Sequence, residues 1–301
     1  MTRGAALTGA LLVTLGSPQT WPLALAAFLL RGGVVLVALP IVVLPTPVGL
    51  GNLLAPTLTA AVFGGVTTGL IVLVAAILMV GIGWVVAGGL LAATLEAEAA
   101  RVVAAEADDA EPVPRRRAEA GRILMARLIA HLPLGVALAW GSARLVAVTY
   151  RELTNPFDVA TPIVWRVLRA SPEVVVAVFL TWMVGQAVGA IAARRIAIVG
   201  AGPFGALREA AITVLRRPMA VFADFCLPTA VLGLALAPSA LAAASAANAV
   251  RLAMSRPSDP VGLVLAVVLF VSLWTVGLAM AGVICAWRAA VWTVGFGEPA
   301  R

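Results

Sequence analysis

Apolar residues run almost unbroken through six stretches of the chain, and polar ones collect between them. The stretches are 22–45, 66–93, 132–150, 173–193, 219–249 and 260–287. Between Arg31 and Glu96 no charged residue occurs. A bilayer core needs about 20 apolar residues per helical crossing, so this run holds two crossings and a connection. Similar charge-free runs lie between Glu173 and Arg194, Asp224 and Arg251, and Asp259 and Arg288. The pattern predicts an all-α polytopic membrane protein with six transmembrane helices.

A second pattern is periodic. Residues 5–18, AALTGALLVTLGSP, align with residues 205–218, GALREAAITVLRRP, at a spacing of 200: Ala6 with Ala206, Leu7 with Leu207, Ala10 with Ala210, Leu15 with Leu215, Pro18 with Pro218. The later copy gathers Phe204, Leu207, Ala211, Val214 and Leu215 on one helical face, with Arg208, Glu209, Thr213 and Arg216 largely on another. An amphipathic helix lying in the membrane interface has this distribution. A fainter third copy, AEAGRILMARLIAHLP at 118–133, also ends in a proline before a span. The chain then reads as a single membrane domain of three units, about 1–93, 118–193 and 200–288, each an interfacial helix followed by two spans, with a cytosolic loop over 94–131. The first helix resembles a short signal peptide, but no clear small-x-small site precedes Ser17-Pro18, so it is expected to be retained.

Composition agrees: 62% of the 301 residues are hydrophobic and 12% charged, about half the charge of a soluble domain. All 21 basic residues are arginine, so arginine alone carries the positive-inside signal. Fourteen lie in the N-terminus, the 94–131 and 194–218 loops and the C-terminal tail, and five in the other connections. Both termini are therefore expected to be cytoplasmic, in a bacterial cytoplasmic membrane; the alanine- and arginine-rich, lysine-free usage suggests a GC-rich genome. The net charge of +7 is assigned to arginines beside anionic head groups, with membrane lipids as partners. Nucleic acid is not expected, because no basic segment is interleaved with aromatics and Arg115-Arg116-Arg117 follows Glu106, Asp108, Asp109 and Glu111.

Candidate chemistry is sparse. IAIVGAGPFG, residues 196–205, has the G-x-G-x-x-G spacing of a dinucleotide site, and Asp224 lies where a ribose-binding acid would. Two spans follow in place of the strands a Rossmann fold requires. Gly200, Gly202, Pro203 and Gly205 therefore read as a turn between the fourth span and an interfacial helix, with a nucleotide site as the alternative. Charges inside spans need a partner, water or a route to the interface. Arg31, ahead of Gly32-Gly33, and Asp224 either snorkel to the head groups or pair with each other, joining the first and third units or lining a polar pathway. Arg144 is expected to snorkel. Gln186 sits inside Gly185-x-x-x-Gly189, where its amide would bond across a close helix contact. Arg194, Arg195, Arg208, Arg216 and Arg217 are the candidate interfacial lipid contacts.

His131 has no nearby carboxylate and reads as interfacial or structural; Cys226 and Cys285 read as reduced thiols. The acids of 96–111 read as a solvated cytosolic face. No catalytic residue, cofactor or metal site is expected. Residues 44–58, with Pro45, Pro47 and Pro56, predict an interfacial or re-entrant segment, and with 154–172 they shape either caps or a vestibule; Trp165 is a candidate interfacial anchor.

Phe204-Gly205-Ala206-Leu207-Arg208-Glu209-Ala210 through Leu215-Arg216-Arg217-Pro218, entering a long apolar span, resembles the helix-then-span units of poorly characterised bacterial six-helix integral membrane proteins. These are similar to the membrane domain attached to some glycerophosphodiester phosphodiesterases. The resemblance implies the fold more than an activity, and no catalytic residue carries over. Three functions follow as expectations: a non-enzymatic lipid-binding or scaffolding membrane protein; a permease-type transport subunit with an ATPase partner, for which 94–131 holds the candidate coupling helix; and a membrane enzyme using a nucleotide at GAGPFG.

Overall fold

Hydrocarbon offers no water to backbone N–H and C=O groups, so a chain this apolar satisfies them within helices. The computed structural model describes residues 3–38, 42, 65, 67–108, 114–154, 161–255 and 260–296, and among these there are helices and no strand. In chain order the helices are α1 (Arg3–Gly16), α2 (Thr20–Ala38), α3 (Thr68–Ala107), α4 (Glu119–Ala130), α5 (Leu132–Thr154), α6 (Ile163–Arg169), α7 (Pro172–Val199), α8 (Pro203–Arg216), α9 (Pro218–Met254) and α10 (Pro260–Phe296). Six of them, α2, α3, α5, α7, α9 and α10, are long and apolar enough to cross a membrane. The protein is an all-α polytopic membrane protein.

Local signals set the helix ends. Helices α7, α8, α9 and α10 each begin on a proline, whose fixed φ and missing N–H suit the first helical position. Thr67 caps α3 by accepting from the Leu70 N–H at 3.3 Å. Gly200 ends α7 in the left-handed region at φ +80°, a C-cap conformation glycine adopts without strain.

The 94–131 connection departs from a simple loop. The second span continues as helix through Ala107 and helix resumes at Glu119, because residues 94–107 are almost all alanine, glutamate and other strong helix formers. Residues 44–58 lie outside the described residues. Three spans contain π-helical stretches, Leu29–Gly33, Trp84–Gly88 and Arg195–Val199. The first is a kink: Arg31 sits at φ −87°, ψ 18° and Gly32 at φ +99°.

By contact the chain forms two units, which cut across the three sequential ones. One comprises residues 1–17, 97–229 and 288–301, the other 18–96 and 230–287. In the first, Val103, Ile123, Ile191, Ile196, Phe225 and Trp292 form the large fully buried side chains. Helices α4 and α7 approach closely where Gly185 faces the Ala130 carbonyl and His131, and Gly189 faces Arg127. Missing side chains let the backbones meet, the usual means of association where lipid is as apolar as leucine. In the second unit Ala24, Leu232, Ala281, Cys285 and Ala286 form a core covered by Trp21, Leu25, Phe28, Leu236 and Ile284. There Gly282 packs on the Trp21 carbonyl, and Gly88 lies against the Leu30 carbonyl at the bulge of α2.

The aligned positions of α1 and α8 have matching surroundings. Ala10 and Ala210 are both fully buried, whereas Leu15 and Leu215 are both strongly exposed. Each short helix is followed by a span after one to three residues, and α4 with α5 repeats that layout.

Gly185→Ala would place a Cβ 3.0 Å from the Ala130 oxygen, and overpacking of this kind costs about 1–3 kcal/mol. The variant is expected to unfold at lower temperature in detergent, while Gly233→Ala, whose added methyl meets nothing within 4 Å, holds or raises the melting temperature.

Candidate functional site

Helix α8 turns three different faces to its surroundings. Ala206 and Ala210, one turn apart, are buried where the helix packs on α7 and α4. Phe204 is 69% and Leu215 79% exposed. Arg208, Arg216 and Arg217 are exposed too; among the described residues none of the three has an ion-pair partner. Small residues thus hold the helix close to the protein while large apolar and cationic ones point away from it.

The turn before α8 is built from the glycine motif. Residues 195–199 are π-helical, not a strand, and continue α7. The Gly200 N–H donates to the Arg195 and Ile196 carbonyls at 3.0 and 3.1 Å. Gly202, extended at φ −69°, ψ 155°, caps α8 with Pro203 in the first turn. Arg116 closes the turn: its Nη1 donates to the Val199 carbonyl at 2.8 Å, and its guanidinium fills the space that a Cβ on Gly200 would need. The motif therefore forms the turn that the span pattern implies.

The five arginines assigned to lipid separate. Arg194 is 3% exposed and donates to the Ala190 and Ala289 carbonyls at 3.2 and 3.5 Å. Arg195 is tied to Glu209 at 3.3 Å. Burial in protein removes Arg194 from a lipid surface, so only Arg208, Arg216 and Arg217 of the five present open guanidinium groups.

Arg31 meets Glu96. Its Nη2 donates to the Glu96 carboxylate and, at 3.4 Å, to the Ala92 carbonyl. The two residues bounding the long charge-free run are thus partners across neighbouring spans. Glu96 is 6% exposed, so it does not belong to the solvated acidic face expected for 96–111; an arginine reaching from the kink of α2 draws it into the protein. Asp224 is buried in the other unit, beside Phe225, whose ring carries Arg288 at 5.6 Å and Trp182 edge-on at 5.2 Å.

Further charges of 96–119 also turn inward. Arg101 Nη1 donates to Glu119 at 2.7 Å, with both side chains buried, and Glu119 accepts the Arg116 N–H at 3.2 Å. Glu98 accepts from Arg101 and Arg115 at 3.3 and 3.1 Å; the Glu98 hydrogen bond, then its charge, raises the Arg115 pKa. These bonds fasten residues 114–118 between α3, α4 and the end of α7. Sequence reading missed the network, which joins local pairs three positions apart to partners 17–83 positions apart; the Arg and Glu pairs at mixed spacing were its only signal.

Gln186 and His131 bond across the α4–α7 contact. His131 Nδ1 lies 2.8 Å from the Arg127 carbonyl, which makes it the donor, so Nε2 accepts from the Gln186 amide at 3.2 Å. Arg144 donates to Glu173 at 3.1 Å, and Trp165 is exposed. Among the described residues no three His, Cys, Asp or Glu side chains converge as metal ligands. No family model, curated protein or solved structure matches the chain.

Gly200→Ala must hold a left-handed alanine, at about 1 kcal/mol, and also expel Arg116. We expect a lowered melting temperature, with Gly205→Ala unaffected because its surroundings are open. Glu96→Gln strands the partly exposed Arg31 cation and is expected to cost about 1–3 kcal/mol, less than for a fully buried pair, with Arg31→Leu/Glu96→Leu recovering most of it in the same thermal assay.

Proposed function

We propose that this protein binds and organises anionic lipids at the membrane surface, acting as a lipid-binding or scaffolding component, with α8 as its principal contact. The observation that carries this reading is α8 itself. Phe204 and Leu215 project from a helix anchored by Ala206 and Ala210, and Arg208, Arg216 and Arg217 extend beside them without acidic partners among the described residues. Apolar side chains at the acyl boundary and guanidinium groups among phosphates are what an interfacial helix needs, and arginine takes phosphate oxygens bidentately. On this reading the surface faces the cytoplasmic leaflet with both termini on the same side, an orientation that the arginine distribution supports. Helix α1, with Leu11, Leu12 and Leu15 exposed, supplies a second apolar contact.

A permease-type subunit is the second reading, favoured by the kink at Arg31-Gly32 and its ion pair with Glu96. Broken spans carrying charge at membrane depth are a recurring feature of transport pathways. It requires a partner that drives the cycle.

Native mass spectrometry of protein extracted gently from its own membrane separates the two. Lipid binding predicts retained phosphatidylglycerol or cardiolipin. Changing Arg208, Arg216 and Arg217 together to Gln is expected to lower anionic over zwitterionic retention roughly tenfold, at up to about 1 kcal/mol per surface arginine. Unchanged retention, or a stoichiometric ATPase partner, would overturn it.

A further inference from the structure

Helix α6 lies at the opposite end of α7 from α8. Only Ala170 and Ser171 separate it from Pro172, where α7 begins, and α7 runs for 28 residues to Val199. At 1.5 Å per residue that is about 42 Å, and a bilayer with its head-group regions measures about 40–45 Å. All three helices belong to one of the two units. A span of this length meets an interface at each end, so α6 stands at head-group depth whatever α8 binds at the other.

The residues of α6 divide into two sides. At 100° per residue, Ile163, Arg166 and Val167 fall together and are half-buried, while Val164, Trp165, Leu168 and Arg169 fall opposite and are exposed, Trp165 by 66%. The inner side is fastened to the end of α5: Arg166 Nη1 lies 3.7 Å from Glu152 Oε2, with both side chains 14% exposed. Ser171 Oγ donates to the Val167 carbonyl at 2.6 Å and closes the last turn. On the outer side Arg169, about 40° round the helix from Trp165, has no ion-pair partner among the described residues. Tyr150 and Leu153, in the last two turns of α5, are exposed as well.

A contiguous exposed apolar patch marks a contact with a partner or a membrane. Here the depth along α7 selects the membrane, because tryptophan and tyrosine gather at head-group level and a guanidinium beside them takes phosphate oxygens. We propose that α6 is a phospholipid-binding anchor in the leaflet opposite α8, with Val164, Trp165 and Leu168 entering the acyl boundary and Arg169 on the phosphates. Glu152 spends the Arg166 cation inside the protein and holds the apolar side toward the bilayer. The chain then grips both leaflets from the two ends of one span. The α6 contact stands without the anionic-lipid reading of α8.

Spin labels at Val164→Cys, Leu168→Cys and Arg169→Cys, each in a Cys226→Ala/Cys285→Ala chain in phospholipid nanodiscs, test the assignment by collision with oxygen, which concentrates among acyl chains, and with a nickel chelate confined to water. Labels at 164 and 168 are expected to favour oxygen several-fold, and the label at 169 to favour the chelate. Preference for the chelate at 164 and 168, the result for a helix turned to water or to a soluble partner, overturns it. If the cysteine-free chain does not fold, quenching of tryptophan fluorescence by brominated phospholipid decides: Trp165→Phe is expected to lower the quenched fraction, and an unchanged fraction overturns the anchor. In sealed vesicles an impermeant maleimide is expected to reach Arg169→Cys and Arg208→Cys from opposite sides; reaction from one side overturns the leaflet assignment. Changing Arg208, Arg216 and Arg217 to Gln should leave the depths at 164 and 168 unchanged, so failure here is distinguishable from failure at α8.

Discussion

The absence of water along the spans is the constraint on which the rest depends. Backbone groups at that depth must find their partners inside the chain, and many side-chain donors turn to backbone carbonyls as well. Thr14 donates to Ala10, Thr181 to Ala177 and Thr293 to Ala289, each one turn back on its own helix, and Ser171, between α6 and α7, donates to Val167 of α6. Arginines do the same over longer reach: Arg194 to Ala190 and Ala289, Arg31 to Ala92, Arg116 to Val199. Five donors in a planar fork on a long stem make arginine suited to reaching carbonyls on its own and on neighbouring helices.

That chemistry ties the cations to the helix breaks. A π-helical stretch shifts the i→i−4 ladder and leaves carbonyls to be satisfied by other groups. Arg31 lies within the stretch 29–33, and Arg116 caps the carbonyl that ends the stretch 195–199. In both places an arginine sits where the backbone leaves its ladder, but only Arg116 takes a carbonyl there, while Arg31 reaches across to Ala92 and Glu96 of α3. In the turn it is structural. In the span it also carries a charge into apolar surroundings, with Glu96 as counter-ion, which is why the pair bears on a transport reading and the turn does not.

What the sequence made legible follows from range. The spans were readable because hydrophobic length is a local property, and the glycine motif resolved as a turn because its neighbours were visibly spans. The Gly185–Gly189 contact was readable as a packing surface with Gln186 bonding across it; that its partner would be His131, 55 positions away, was not. Glu96 reads as part of a solvated face because its partner Arg31 is on another helix, and only tertiary contact turns an acidic stretch into a buried network. Similarly, Arg194 and Arg195 are neighbours in sequence, yet a turn of 100° per residue sends one into the protein and the other toward Glu209.

The three short helices show how one layout serves two purposes. In α1 and α8 the inward positions are alanine, with threonine in α1, at Ala10, Thr14, Ala206 and Ala210, and leucines point outward. Small inward residues bring a helix close to its support without committing its bulk, leaving the large side chains for whatever lies beyond. In α4 the inward positions are Glu119, Ile123 and Ala126: a bulky β-branched residue fills the core, and a carboxylate holds Arg101 and the Arg116 amide. The polar capacity of Glu119 is spent inside the protein, while Arg122 of the same helix stays exposed. The same short-helix-then-span layout therefore places α8's arginines outside and α4's carboxylate inside, and the residue facing the support decides which.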